Sequence, residues 1–216
     1  MERYAILVAG GSGTRMGAAV PKQFLPLADG TPILVQTFRL FAGLPRVQLI
    51  IVLPEAHLPL WHQLANDYGL AAHHAVAGGP TRTASVAAGM GLVPDDALVA
   101  IHDGVRPYAT ADLIERCYAT AATTGAACAA VPSKDSLRQR MPDGGSRAVP
   151  REDFYLVQTP QTFSARLWKE ALAQASADTV FTDDASLVEA AGHTIALVEG
   201  SYGNIKITTP EDLPRG

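Results

Sequence analysis

The sequence predicts an α/β fold in which a mostly parallel sheet is flanked by helices on both faces. Two observations lead to this class. Short apolar runs alternate with longer segments whose apolar residues recur at helical spacing, as in chains that wind back and forth across a parallel sheet. The length of 216 residues, with 48% hydrophobic and 18% charged residues, suits a soluble globular protein. We therefore expect a single domain over residues 1–216.

Each predicted element follows from its own residue pattern, taken in chain order. Brief apolar runs, too short for helices and rich in valine, isoleucine, leucine and alanine, predict strands over residues 4–9, 47–53, 71–76, 97–102, 126–131 and 194–198. Segments with apolar residues at three- and four-residue spacing predict helices over residues 33–42, 58–68, 82–91, 112–123, 166–175 and 184–191. Thr110 and Thr182 have side chains suited to capping the fourth and sixth of these helices.

One segment, residues 133–158, interrupts this alternation. It has no helical period, and two polar stretches flank the sequence Met141-Pro-Asp-Gly-Gly145, whose composition is typical of a turn. The segment is therefore predicted to be an inserted β-hairpin. A two-stranded excursion is only marginally stable alone, so we expect this arm to pack against another surface.

The most informative stretch is the glycine loop that follows the first predicted strand. Glycines at a strand end let backbone N–H groups approach an anion closely, and ligands of open α/β sheets bind at such ends. Arg15 and Lys22 add positive charge close to the loop. The loop therefore predicts a polyphosphate site whose backbone contribution comes from Gly10, Gly11, Ser12 and Gly13.

Two common nucleotide-binding motifs do not fit this loop. A Walker loop needs a lysine followed by serine or threonine, which Thr14-Arg15-Met16 does not supply. A dinucleotide-binding motif beginning at Gly11 would need a glycine at Met16. No acidic ribose partner stands at the usual distance, so a Rossmann dehydrogenase is disfavoured. The absence of a Gly-x-Ser-x-Gly sequence argues against acyl hydrolysis.

Bulk charge and cysteine content exclude other classes. A formal net charge of −4 disfavours nucleic-acid binding and binding to anionic membranes, so phosphate affinity has to come from a few placed cations. No apolar run approaches the length of a membrane helix. Cys117 and Cys128 lack metal-ligand spacing and suit buried free thiols. We expect a cytoplasmic protein.

Several motifs give the chain a specific resemblance. They are AGGSGTRMG and PKQFLPL near the start, then GGPTRTAS from Gly78, HDGVRP from His102, QTPQ from Gln158 and GNIKITTPED from Gly203. In this order and spacing they resemble the 2-C-methyl-D-erythritol 4-phosphate cytidylyltransferase family, which belongs to the nucleotidyltransferases that activate sugar phosphates. The resemblance extends over nearly the whole chain. It implies a Rossmann-like sheet and a homodimer joined through the 133–158 arm.

The resemblance also implies an activity and a set of site residues. The activity is transfer of the cytidylyl group of CTP to methylerythritol phosphate with Mg²⁺, for which Asp103 would be a ligand directly or through water. The implied catalytic residues are Arg15, Lys22, Asp103 and Lys206. CTP would be bound by Gly10, Gly11, Ser12, Gly13, Gly78, Gly79, Arg82 and Ser85. The acceptor would be bound by Arg106, Ser136, Arg151 and Thr159.

Two alternatives share these motifs. Ribitol 5-phosphate cytidylyltransferases contain nearly all of them, so ribitol 5-phosphate is an alternative acceptor. A nucleotide-binding regulatory module that has lost turnover is a second alternative. It is disfavoured because such a module should lack one of the four charged residues implied in catalysis, and all four are present.

Overall fold

The computed structural model describes residues 1–10, 20–176 and 179–212. Within these ranges the chain forms nine strands: β1 (Arg3–Val8), β2 (Val47–Leu53), β3 (His74–Ala77), β4 (Leu98–Asp103), β5 (Ala126–Pro132), β6 (Leu137–Arg140), β7 (Ser146–Val149), β8 (Tyr155–Ser164) and β9 (Ala196–Glu199). The α-helices there are α1 (Ile33–Ala42), α2 (Leu58–Asp67), α3 (Arg82–Met90), α4 (Ala111–Thr124), α5 (Ala165–Gln174) and α6 (Asp184–Ala190). All predicted strands and helices are present, with some ends shifted by a few residues.

Seven of these strands form one mixed sheet. Their order is β3-β2-β1-β4-β8-β5-β9, and every neighbouring pair is parallel except the two that involve β8. β8 was not among the predicted strands, and it enters the sheet antiparallel between β4 and β5. Because the other pairs are parallel, the prediction of a mostly parallel sheet is confirmed.

Helices cover both faces of this sheet, because alternate strand residues point to opposite sides. Along β1, Ala5 and Leu7 pack into one buried layer with α1, α2 and α4, whereas Tyr4 and Ile6 pack into the other with α3, α5 and α6. The predicted two-sided α/β architecture is therefore confirmed.

Local capping explains where two helices begin. The Thr110 hydroxyl accepts a hydrogen bond from the Leu113 backbone N–H at 3.2 Å and caps α4, as predicted. For α6 the prediction of Thr182 was wrong. Asp183 is the capping residue, and its carboxylate accepts from Ser186 N–H at 2.9 Å.

The predicted hairpin is present as a separate two-stranded sheet of β6 and β7. Met141 N–H donates to Gly145 O at 2.9 Å across the turn, and most of the hairpin is exposed. The chain then makes a short 3-10 turn at Arg151–Asp153 and enters β8, so residues 155–158 lie in the central sheet.

Across residues 1–10, 20–176 and 179–212, no helix combines the length and the apolar character needed to cross a bilayer.

Candidate active site

Most of the predicted site residues that the structure describes converge at one edge of the sheet. Gly10 follows β1, Gly78 and Gly79 follow β3, and Asp103 ends β4, so all lie at the carboxyl ends of parallel strands. This edge is where open α/β sheets bind ligands. It holds a cleft of about 330 Å³, lined by Val8, Ala9, Gly10, Lys22, Gln23, Gly79, Pro80, Thr81, Arg82, Ser85, Asp103, Val105 and Lys206.

The second glycine loop is shaped by close packing against the start of α3. A Cβ atom on Gly78 would lie 2.7 Å from Ser85 Oγ, and one on Gly79 would lie 2.5 Å from the Ala84 Cβ. A Cβ atom on Gly79 would force the start of α3 to shift, and one on Gly78 would require the Ser85 side chain to move. The Ser85 hydroxyl lies 2.9 Å from Thr81 O and turns toward the loop backbone. The loop therefore presents backbone rather than side chains to the cleft.

Lys22 enters the cleft from a short 3-10 turn at Lys22–Phe24. The turn is fastened to the end of β1 because Gln23 Nε2 donates to Ala9 O at 2.9 Å. Lys22 itself is buried, and its Nζ atom donates to Ile207 O at 3.3 Å. Ile207 follows Lys206 in the chain, so Lys22 is bonded to the segment that carries the other predicted catalytic lysine.

Asp103 is the centre of a cluster of cations. Its carboxylate lies 3.0 Å from Lys206 Nζ, 3.3 Å from Arg106 Nε and 3.9 Å from Arg82 Nε. Burial alone would raise the pKa of Asp103, but the three cations outweigh it and lower the pKa to about 2. Asp103 is therefore ionised at neutral pH, and the cations around it retain excess positive charge for phosphates.

Arg82 is held in place from behind by a second carboxylate. Its Nη1 atom forms an ion pair with Asp184, which is buried at the start of α6. Trp168 Nε1 also donates to Asp184, at 3.0 Å. The charge of Asp184 raises the pKa of Arg82 against the opposing effect of burial. Arg82 is thus a fixed cation between Asp184 and Asp103.

A second cleft of about 360 Å³ adjoins the first. It is lined by Arg82, Asp103, Arg106, Val157, Gln158, Thr159, Gln161, Thr182, Asp183 and Lys206. Arg82, Asp103 and Lys206 line both clefts and so form their common wall. Arg106 is oriented by donation from its Nη1 atom to Asn204 O at 2.7 Å. The arrangement can hold one anionic ligand in each cleft, with the Asp103 carboxylate and its cations between them.

Two of the predicted residues that the structure describes, Ser136 and Arg151, are not gathered around the clefts. Ser136 and Arg151 are exposed on the arm and line neither cleft, and Arg151 Nη1 donates to Lys134 O at 2.8 Å. Arg15, Gly11, Ser12 and Gly13 lie outside the described residues. The roles implied for all six stay predictions.

Sequence reasoning missed a group of polar residues around the second cleft: Gln158, Gln161, Thr182, Asp183 and Asn204. Asn204 is fully buried and donates to Thr159 O at 2.8 Å, while Gln158 donates to Ser201 O at 2.7 Å. Gln158 and Gln161 belong to the QTPQ motif, but their environment depends on β8, a strand that the sequence did not predict. Thr182 was interpreted only as a helix-capping residue.

The described side chains around the first cleft offer Mg²⁺ a single carboxylate, that of Asp103. Among the described parts of the chain, no group of three or more His, Cys, Asp or Glu side chains could hold a metal ion. Asp103 is a single ionised carboxylate on the wall of the nucleotide-sized cleft. Mg²⁺ in polyphosphate sites uses one or two carboxylates and completes its shell with phosphate oxygens and water, so Asp103 fits that requirement.

Comparison with known proteins agrees with this geometry. The family model described as IspD, 2-C-methyl-D-erythritol 4-phosphate cytidylyltransferase, matches residues 4–216. A protein of that name from Phocaeicola vulgatus is 44% identical over 215 residues, covering 99% of this chain and 97% of its own length. One from Porphyromonas gingivalis is 46% identical, with coverage of 98% and 95%.

Solved structures give the same result. The crystal structure of 2-C-methyl-D-erythritol 4-phosphate cytidylyltransferase from Thermus thermophilus has 35% sequence identity and a TM-score of 0.79, covering 99% of this chain and 96% of its own. That of 4-diphosphocytidyl-2C-methyl-D-erythritol synthase from Anaerococcus prevotii has 28% identity and a TM-score of 0.84, with coverage of 98% and 92%. This chain therefore belongs to the 2-C-methyl-D-erythritol 4-phosphate cytidylyltransferase family.

Proposed function

We propose that this chain carries out its family's reaction across the two adjoining clefts, with CTP in the first and methylerythritol phosphate in the second. An oxygen of the acceptor phosphate attacks the α-phosphorus of CTP. As the new P–O bond forms, the bond to the bridging oxygen breaks and pyrophosphate leaves. The observation that carries this assignment is the common wall of Arg82, Asp103 and Lys206, because the reacting phosphates have to meet where the two ligands meet.

The reaction brings two anions together, so catalysis depends mainly on positioning and charge neutralisation. Lys206 stands between the clefts and is suited to contact both the α-phosphate and the acceptor phosphate. Lys22, deep in the first cleft, is suited to charge that accumulates on the departing pyrophosphate. Arg15 is proposed as a further cation on the triphosphate. The displacement needs no nucleophilic side chain, because the acceptor phosphate is itself the nucleophile.

Backbone groups are proposed to hold CTP on its other sides. Gly10, Gly78, Gly79 and Ser85 surround the first cleft or its rim, together with the proposed Gly11, Ser12 and Gly13. The steric fit at Gly78 and Gly79 supports close approach of a flat ring to the loop. The fixed ion pair with Asp184 makes Arg82 a cation for phosphate or ribose rather than a mobile reader of the base.

Mg²⁺ is proposed to be held by Asp103 together with the CTP phosphates. When bound, it would neutralise polyphosphate oxygens and lower the barrier to attack at the α-phosphorus. The low pKa of Asp103 supports this role because the carboxylate is ionised at every physiological pH. Lys206 and Arg106 keep the carboxylate pointing into the common wall.

The acceptor phosphate is assigned to Arg106, whose guanidinium lines the second cleft and suits paired phosphate oxygens. Thr159 lines the same cleft. Both residues belong to segments that are locked by buried hydrogen bonds to Asn204. A rigid acceptor site of this kind favours a small phosphorylated polyol.

We further propose that the 133–158 arm joins two copies of this chain into a homodimer. Phe154, Tyr155, Leu156 and Val157 are all large apolar residues with 44–52% of their surface exposed. Such a contiguous apolar strip at the base of a polar hairpin is typical of an interface. Ser136 and Arg151 would then contact the acceptor in the partner's site, which explains why they line neither cleft of their own chain.

A cytoplasmic location is also proposed. Cys117 and Cys128 are buried free thiols, and burial raises the pKa of each to about 12. Unpaired, unreactive thiols suit a reducing compartment, where disulfides are rare.

The reaction is tested by measuring pyrophosphate release with CTP and Mg²⁺, using methylerythritol 4-phosphate and ribitol 5-phosphate as parallel acceptors. We expect rapid release with methylerythritol phosphate alone. Faster release with ribitol 5-phosphate would keep the two-cleft mechanism but overturn the proposed acceptor. Measurable CTP binding without release from either acceptor would instead favour a regulatory module.

A further inference from the structure

One buried side chain next to the proposed site has no role in the mechanism above. His102 precedes Asp103 on β4, is completely buried and packs its ring against Phe41 at 4.9 Å between centroids. Both ring nitrogens have polar neighbours. Nδ1 lies 3.1 Å from Thr159 Oγ1, and Nε2 lies 3.2 Å from the backbone carbonyl oxygen of Arg106.

These neighbours fix which nitrogen carries the proton. A carbonyl oxygen can only accept, so Nε2 has to donate to Arg106 O. The ring is completely buried and neither of its hydrogen-bond partners is a carboxylate, so the neutral form is favoured and Nδ1 is an acceptor. The Thr159 hydroxyl donates to it. That hydroxyl in turn accepts the Asp103 backbone N–H at 3.1 Å.

The result is a continuous set of hydrogen bonds with one direction. It runs from Asp103 N–H to the Thr159 hydroxyl, from there to His102, and from His102 to Arg106 O. The tight turn between Asp103 and Arg106 is closed by Arg106 N–H donating to Asp103 O at 3.0 Å. One imidazole therefore bonds directly to Arg106, at one end of the segment that presents the Asp103 carboxylate and the Arg106 guanidinium, and is linked to the Asp103 end through the Thr159 hydroxyl.

We propose that His102 is a positioning residue for cytidylyl transfer: it orients Asp103 through the Thr159 hydroxyl and Arg106 through its carbonyl oxygen. This inference rests on the proposed function, because it needs Asp103 and Arg106 to be the groups that meet the reacting phosphates. It also gives Thr159 a second purpose, since its hydroxyl is hydrogen-bonded to the Asp103 backbone N–H and to His102, both on β4.

The two bonds can be separated by substitution. In His102→Asn, an amide oxygen near the position of Nδ1 can still accept from Thr159, whereas the donor to Arg106 is lost. In His102→Gln, an amide nitrogen near the position of Nε2 can still donate to Arg106, whereas the acceptor for Thr159 is lost. His102→Phe keeps the packing on Phe41 and removes both bonds.

We expect a different kinetic change for each variant, measured with CTP and methylerythritol phosphate. His102→Gln should lower kcat about tenfold with little change in acceptor KM, because Asp103 loses its orientation. His102→Asn should raise acceptor KM about tenfold with a smaller loss of kcat, because Arg106 is released. His102→Phe should show both changes. The KM for CTP should change little in all three.

Thr159→Val supplies the coupling test. If His102 acts on Asp103 through the hydroxyl, the Thr159→Val and His102→Gln losses in kcat should not add in the double variant. Additive losses, or identical kinetics for His102→Asn and His102→Gln at equal thermal stability, would overturn the inference. A variant that fails to fold is replaced by the remaining members of the series, since Asn and Gln alone separate the two bonds.

Asp103→Asn distinguishes this inference from the proposed function on which it rests. If Asp103→Asn keeps full activity, the proposed site is wrong and His102 has nothing to position there. If Asp103→Asn is inactive while the folded His102 variants keep unaltered kinetics, the site stands and the positioning inference is wrong.

Discussion

The two sides of β4 build their halves of the site in different ways. On the side of β1, β2 and β3, the first cleft is formed by glycine loops that follow strand ends and by backbone groups at the start of α3. On the side of β8, β5 and β9, the second cleft is formed by buried polar side chains from segments far apart in the chain. Asp103, at the end of β4, belongs to both.

The difference matters because backbone and side chains recognise ligands differently. A glycine loop follows any polyphosphate closely, and its specificity lies in shape. A cleft of buried side chains holds a ligand by a few hydrogen bonds whose geometry depends on many partners. We therefore expect changes on the first side to act through CTP and the triphosphate charge, and changes on the second side to act through the acceptor.

The largest expected effect comes from Lys22, on the CTP side. Lys22→Ala should lower kcat by about 10²–10³-fold while weakening CTP binding far less, because the buried charge is most useful when the pyrophosphate charge develops. Steady-state kinetics together with a direct CTP-binding isotherm would check this. Equal losses of kcat and CTP affinity would mean that Lys22 only holds the ground state.

Lys169→Ala is the matched control for Lys22. Lys169 also donates to a backbone carbonyl, that of Val93 at 2.6 Å, but it lies away from both clefts and pairs with the exposed Asp95. Its loss should leave kcat and both KM values unchanged.

The next effect concerns the ion pair that links the two sides. Arg82, at the start of α3, is anchored to Asp184 at the start of α6, beside the second cleft. Asp184→Asn can still accept from Trp168 but removes the nearer of the two carboxylates that pair with the partly buried Arg82. Breaking a buried pair in this way should lower the free energy of unfolding by about 3 kcal/mol and raise both KM values.

Chemical denaturation of Asp184→Asn and Asp112→Asn, measured side by side, would test this expectation. Asp112 also pairs with an arginine, at 2.9 Å from Arg116 Nε, but its side chain is 77% exposed. An exposed pair contributes at most about 1 kcal/mol. Equal destabilisation by the two substitutions would show that burial of Asp184 is not what makes its pair strong.

The first cleft could be predicted from the sequence better than the second, because the first is built from local backbone patterns and the second from segments far apart in the chain. Strand, turn and glycine patterns are local, so the end of β1, the Gly78 loop and the position of Asp103 were predicted within a few residues. The second cleft depends on β8, a strand whose residues include Gln158, Pro160 and Gln161 and which gives no strong apolar period. Its polar residues are stable there only because distant segments satisfy them.

Arg82 and Asp184 show the same limit in one pair. Arg82 was expected only as one of the residues that bind CTP, and Asp184 only as the first residue of a predicted helix. Nothing local indicates that residues separated by about a hundred positions form a buried ion pair. That partnership makes Arg82 a fixed cation.

The smallest expected effect is on the arm, which lies outside both halves of its own site. Arg151→Ala should raise the acceptor KM up to about tenfold and leave the CTP KM nearly unchanged, because the proposed contact is one charged hydrogen bond to the acceptor. Arg147→Ala, on the same arm with its side chain bonded to Gln139, is the control and should change neither value. A selective rise in CTP KM would overturn the assignment of the arm to the acceptor.

Mixing two defective variants would show which subunit the arm serves. If Arg151 acts on the partner's acceptor, a mixed dimer of Arg151→Ala and Lys22→Ala contains one site with an intact Lys22 and an intact Arg151. After exchange of subunits, activity at the normal acceptor KM should return in proportion to the mixed dimer formed. If Arg151 acted within its own chain, no mixed dimer would contain an intact site, and the activity of the mixture would remain the average of the two variants. Both clefts would then be complete within a single chain, with no contribution from the partner subunit.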